Sequence, residues 1–115
     1  MRYLLTIDRA TCPVRVHRCT SFAARLRGMS MYGASYAFDA WCLQPCHAIH
    51  TLFQPRAIDV VFCDASDRVL RICSALAPWR IAWCRGAHSA WEFSAGQAQR
   101  WQLARGQQLG CRCAP

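Results

Sequence analysis

Ala57-Ile58-Asp59-Val60-Val61-Phe62-Cys63 is the stretch on which the fold turns. Its alternate residues form two sets, Ile58/Val60/Phe62 and Asp59/Val61/Cys63, and both are largely apolar. A strand with one wet face would alternate apolar and polar, so this one belongs in the middle of a sheet covered on both sides. Asp64-Ala65-Ser66-Asp67 follows as a four-residue turn, and Arg68 to Cys73 resumes with β-branched and apolar side chains. The two runs make a hairpin.

Upstream, Tyr3 to Ile7 is a short apolar run of β character, and Val14-Arg15-Val16-His17-Arg18 alternates as a half-buried strand does. A helix start follows: Thr20 or Ser21 suits the N-cap, Phe22 and Leu26 share a face, and Gly28 suits the C-terminal end. Residues 30–40 read as a loop. Trp41-Cys42-Leu43 is a strand broken at Pro45, and Ile49 to Phe53 is a further short extended piece.

Downstream, Pro78 to Cys84 is irregular or extended. Ser89 to Ser94 is a strand with Trp91 and Phe93 on one face and Ala90, Glu92 and Ser94 on the other. Gln97 to Leu103 makes a helical turn with Ala98 and Trp101 inward, Gln108 to Cys111 a last short strand, and residues 112–115 a frayed tail. The expected fold is a single α+β domain over residues 1–115, dominated by an antiparallel, barrel-like sheet with one or two short helices.

With 54% hydrophobic and 17% charged residues in 115, the chain is globular and sized for one core. No apolar run approaches the roughly 20 residues that span a bilayer, and the N-terminal one is too short for a secretory signal. The expectation is a cytoplasmic protein without membrane insertion. The net charge of +8 comes from 14 basic residues, every one of them Arg; there is no Lys and no Asn. Because Lys and Asn have A/T-rich codons, their joint absence points to genome composition before it points to phosphate recognition. The arginines are dispersed, so a nucleic-acid role is possible but not favoured.

Nine cysteines are many for a reducing compartment, and the odd number leaves at least one without an internal partner. No CxxC occurs. A metal site from Cys42, Cys46, His47 and His50 would put Cys42 and Cys46 on an extended strand about 13 Å apart, at roughly 3.3 Å per residue, unless the chain turns at Pro45. Neither a metal nor a cofactor is predicted. A Cys46/His50 nucleophile pair has no third residue to orient it. The thiols read instead as small buried hydrophobes.

Three stretches in order are similar to a known family. They are Arg25-Leu26-Arg27-Gly28, Ile49-His50-Thr51 followed by Ile58-Asp59-Val60-Val61-Phe62-Cys63-Asp64, and Trp91-Glu92-Phe93-Ser94-Ala95-Gly96 before Gly106. Together they resemble the domain of unknown function (DUF) 192 family over about residues 20–110. The resemblance implies a compact β-rich domain with a helix near its start and no established activity. The chain departs from that pattern in three places: Gln54 stands for a Met after the His-Thr pair, Ala57 for a Pro, and Gln107 for an Asp.

His50 and Thr51 lie just before the central strand. With Asp59, Glu92 and Arg25 they form the candidate ligand-binding set, a small polar pocket at one end of the sheet. His50 beside a carboxylate would suit acid/base chemistry. The structural alternative holds His50 on a backbone group and uses Asp59 to cap a neighbouring turn or to pair with Arg25. Trp79 and Trp83, near Arg80 and Arg85, would offer a protein-binding or base-stacking surface if exposed; the plainer expectation has Trp79 sealing an end of the sheet.

Two functions follow, with different signatures. A non-catalytic binding or accessory module for a protein or an anionic small ligand should show an exposed apolar or basic patch including Trp79 or Trp83. A small enzyme using His50 with Asp59 or Glu92 should enclose them in one cavity. Weak non-specific nucleic-acid binding is a third reading, marked by steep salt dependence.

Overall fold

The computed structural model describes residues 2–21, 24–25 and 38–114. Among the described residues there are nine strands: β1 (Arg2–Ile7), β2 (Ala10–Cys19), β3 (Ala40–Leu43), β4 (Ala48–His50), β5 (Ile58–Cys63), β6 (Val69–Leu76), β7 (Ile81–Trp83), β8 (Ser89–Ser94) and β9 (Leu109–Ala114). A short helix, α1 (Gln97–Arg100), follows β8. Seven strands form a sheet in the order β6-β5-β8-β3-β2-β1-β9, and β4 pairs with β7 in a separate two-stranded sheet.

All six residues of β5 are buried between β6 and β8, as their two apolar faces require. Val61 and Cys63 join Trp91 and Phe93 in one cluster, which also takes Leu5, Val14, Val16, Cys42, Val69 and Leu109. That cluster collects side chains from all seven strands, so the sheet curls around it. On the other face, Ile58, Val60 and Phe62 pack with Trp41, Leu43, Cys19 and Ala90, and Ile49 of β4 and Ala82 of β7 cover them. The β4–β7 pair is thus a small lid on the convex side of the curled sheet.

Three expectations are corrected. The sheet is mixed, because β2 and β3 run parallel; alternation reports which residues face the core, not which strand lies alongside. Among the described residues it does not close into a barrel: the edge strands β6 and β9 do not pair, and the residues just before them form an isolated bridge, Arg68–Gln108, with Val69 donating its N–H to Gln107 O at 2.9 Å. The tail is not frayed through residue 114, since β9 pairs with β1 from Leu109 to Ala114. Of the early helix, Ser21 Oγ accepts the Ala24 N–H at 3.1 Å, the N-cap bond its sequence calls for; Phe22, Leu26, Gly28 and most of the 30–40 loop lie outside the described residues.

Candidate functional site

The five residues expected to share a pocket are spread over three surroundings. Asp59 lies on the concave side of β5 and is 1% exposed. Its Oδ1 accepts the Ala75 N–H at 2.8 Å, and its Oδ2 accepts those of Gly96 at 2.9 Å and Ala98 at 3.0 Å. The first bond sits where β6 bulges, because Ile58 pairs with Leu76 but Val60 pairs with Cys73. The other two cap α1, whose N-cap is Gly96, a residue with no side chain to do so and a left-handed φ of 93°. Asp59 therefore ties β5, β6 and α1 together.

Glu92 points the opposite way. In the β5–β8 register it pairs with Val60, whereas Asp59 pairs with Phe93. The two carboxylates consequently lie on opposite faces of the sheet. Glu92 is buried on the convex side, across from Trp41 of β3. Its charge reaches Cys19 and Cys46, where it adds to burial in raising both thiols, while the Arg25 guanidinium acts on Cys46 in the opposite sense. Arg25 also donates to Thr20 O at 2.6 Å. Arg25, Cys46 and Glu92 are therefore electrostatic neighbours.

Cys46 donates its thiol to Ala48 O at 3.0 Å, and burial raises its pKa, which opposes a nucleophilic role. Cys42 belongs to the concave-side cluster and Cys46 packs against the convex-side one, so the two do not share a site. Burial pushes Cys19 and Cys63 up to about 12, and these thiols behave as small hydrophobes.

Thr51 is completely buried and works as a staple. Its hydroxyl donates to Ala77 O at 2.7 Å and accepts the Arg80 N–H at 2.7 Å. Its own N–H donates to Arg80 O at 2.8 Å, and its carbonyl accepts the N–H groups of Trp79 at 3.0 Å and Gln54 at 3.2 Å. One residue thus joins the loop after β4 to the loop before β7.

His50 precedes it on β4 and faces Ile81 across the pair. Since Ile49 and Ala82 point inward, His50 and Ile81 point outward. The imidazole Nδ1 accepts the Leu52 N–H at 3.2 Å, so this histidine is oriented by its own turn.

What these loops present is a surface the sequence reading anticipated only in part. Phe53, Trp79, Ile81 and Trp83 are 67%, 58%, 66% and 64% exposed. The expectation that Trp79 seals the sheet is overturned: its ring meets Phe53 edge to face, centroids 5.0 Å apart, on the outside. Ile81 and Trp83 alternate around the buried Ala82 on the outer side of β7. Phe53 and Trp79 also hold left-handed backbone conformations, φ 65° and 62°, which are unusual for bulky side chains. Phe53 and Ile81 were missed because three-residue β7 has no alternation to read and exposed aromatics run against the usual burial trend. A separate depression, lined by Thr6, Arg9, Asp67, Gln108, Leu109 and Gly110, contains none of the predicted residues.

Residues 4–111 match the model of the DUF192 family, described as "Uncharacterized ACR". No curated protein matches the chain. Two solved structures share the fold. A protein of unknown function from Novosphingobium aromaticivorans DSM 12444 superposes with a TM-score of 0.77 at 15% identity, covering 96% of this chain and 84% of that one. A protein from Sinorhizobium meliloti 1021, described as a candidate transcription regulator, gives 0.79 at 18% identity, covering 96% and 92%. At these identities the likeness is one of fold.

Proposed function

The chain belongs to the DUF192 family, described without an activity, and we propose that it is a non-catalytic binding module that engages a protein partner through the outer side of the β4–β7 pair. One observation carries this reading. All four large hydrophobic side chains that stand exposed among the described residues, Phe53, Trp79, Ile81 and Trp83, lie on β7 and the two loops stapled by Thr51. Scattered exposed apolar residues are ordinary, whereas a group gathered on one small sheet marks an interaction surface. Tryptophan is also the residue type most often found to dominate binding energy at interfaces.

Two further features support it. Phe53 and Trp79 carry the local cost of left-handed backbone in positions where neither contributes to the core. His50 stands opposite Ile81 at the edge of this surface and is the member of the predicted set that joins it. Thr51 acts from beneath, as a positioning residue. Both oxygens of Asp59 are taken by backbone N–H groups on the face of the sheet away from the β4–β7 pair, so the acid/base reading of His50 with Asp59 gains no support from its placement. Cys19, Cys42 and Cys63 are packed as core hydrophobes, a use of thiols that suits the reducing cytoplasm, which we take as its setting.

The test is co-purification from the native cells of wild-type protein and of an Ile81→Ser/Trp83→Ser variant. Both side chains are exposed, so the variant is expected to keep its melting temperature. A partner recovered with wild type and lost with the variant supports the proposal; equal recovery with both contradicts it.

A further inference from the structure

The distribution of acids specifies the partner further. The chain has six Asp and Glu residues, and none falls between Asp39 and Asp59 or between Asp67 and Glu92. Those two acid-free intervals contain all of β4, all of β7 and both loops that carry Phe53 and Trp79. Over the same intervals lie Arg56, Arg68, Arg71, Arg80 and Arg85, together with His47, His50 and His88. Several of these sit directly at the aromatic surface. Arg71 reaches across from β6 and donates to Trp83 O at 2.7 Å. Arg80 lies between Trp79 and Ile81, and Arg85 two residues beyond Trp83; both are exposed, as is Arg56 near Phe53.

Two arginines away from this surface are already engaged. Arg15 pairs with Asp39 at 2.9 Å, and Arg68 donates to Gly106 O at the far seam. At the β4–β7 end the arginines have no carboxylate neighbour in their own segments. We infer that the partner segment is acidic: a stretch of protein whose apolar side chains pack on Trp79, Ile81 and Trp83 while its Asp and Glu residues meet Arg56, Arg80 and Arg85. This rests on the binding-module reading above and adds to it the charge of the occupant.

Charge complementarity of this kind steers encounter and excludes basic partners, and it weakens as salt screens it. The aliphatic Ile81 between the two tryptophans favours a protein segment over single-stranded nucleic acid, because a stacking platform for bases is built from aromatic rings. Arg71 is turned toward the Trp83 carbonyl, which fits a cation that orders the platform.

The experiment selects short random peptides from a displayed library on wild-type protein, then measures each enriched peptide against Ile81→Ser/Trp83→Ser and Arg56→Glu/Arg85→Glu variants. Oligothymidylate is measured in parallel as the nucleic-acid probe. The expected result is that peptides dependent on Ile81 and Trp83 are rich in Asp and Glu. They should bind about tenfold or more weakly to the double Glu variant, and several-fold more weakly when NaCl rises from about 50 to about 300 mM. Patch-dependent peptides without acid enrichment, or unaffected by the Arg56→Glu/Arg85→Glu change, overturn the acidic partner and leave the binding module standing. Failure to recover any patch-dependent peptide overturns both. Patch-dependent oligothymidylate binding tighter than that of any peptide overturns the protein partner in favour of nucleic acid.

Discussion

The carbonyl of Thr51 accepts the N–H of Trp79 at 3.0 Å, while the buried Thr51 hydroxyl bonds the main chain on either side of that tryptophan, at Ala77 and at Arg80. A residue with no exposure of its own thereby fixes an aromatic side chain that is mostly in solvent. Thr51→Val preserves shape and removes the hydroxyl, leaving the Arg80 N–H and the Ala77 carbonyl without that partner. The cost should be about 2–3 kcal/mol, read as a fall in melting temperature, with binding at the Trp79 surface weakened as well. Thr51→Ser, which keeps the hydroxyl, should lose much less. Equal losses for Val and Ser would mean that the hydroxyl bonds do not matter.

Asp59 is expected to matter for folding more than for any ligand. Asp59→Ala leaves the N–H groups of Ala75, Gly96 and Ala98 without their acceptor, that of Ala98 in a buried place, which should cost about 2–4 kcal/mol in denaturant unfolding. Asp59→Asn should be intermediate, since its amide nitrogen cannot accept the bonds that one carboxylate oxygen takes. A variant at this position that unfolds like wild type would remove Asp59 from the account as a structural tie.

Gln54 is 6% exposed, and its side-chain nitrogen has no hydrogen-bond partner. A buried amide without partners is destabilising, and methionine has nearly the same length and volume. Gln54→Met should therefore stabilise by about 1–2 kcal/mol, raising the melting temperature by about 4 °C or more. No gain on replacement would mean that the amide is satisfied in solution.

Asp67 gives a pH dependence of known sign. Burial raises its carboxyl above the ordinary range, with Asp64 adding to the rise and His88 opposing it. A carboxyl that binds its proton more readily when folded costs stability once ionised. The cost is absent below the ordinary carboxylate range, grows as pH climbs through the folded value, and is complete at neutral pH. Asp67→Asn, tolerated at φ 64° because Asn accepts the left-handed conformation, should melt higher than wild type at pH 7 and equally at about pH 3. The Arg15–Asp39 pair acts in the opposite sense: its hydrogen bonds hold Asp39 below the ordinary range, so its stabilisation is lost as acid protonates it. That loss falls on both proteins alike and leaves their comparison clean.

The parts of this molecule legible in its sequence are the apolar runs bounded by turn residues, β5 and β8, both buried almost throughout. Successive side chains of a strand alternate between faces, and the partition of Trp91 and Phe93 from Glu92 is the one found. The same alternation already separates Asp59 from Glu92 once β5 and β8 are neighbours, but the pairing that makes it decisive is not written in either strand. The parallel contact of β2 with β3 is hidden for the same reason. The aromatic surface was harder still. Trp79 and Trp83 were recognisable as a possible exposed pair, yet Ile-Ala-Trp is apolar at all three positions and does not say which faces outward. The absence of acids on both sides of it was the available signal, and charge survives a reading that hydrophobicity does not.

Site-resolved photo-crosslinking decides whether the outer side of the β4–β7 pair is where the protein binds. Ala48 is exposed and sits across from Trp83, so a crosslinking side chain there borders the surface without removing any of its apolar groups; Arg105, exposed in the turn before Gly106, serves as the distant control. Irradiation of the native cells should give a discrete protein adduct from position 48 that disappears when Ile81→Ser/Trp83→Ser is added, and none from position 105. Adducts of equal yield from the two positions, or an adduct from 48 that survives the double substitution, would contradict the assignment of this surface as the place where the protein binds.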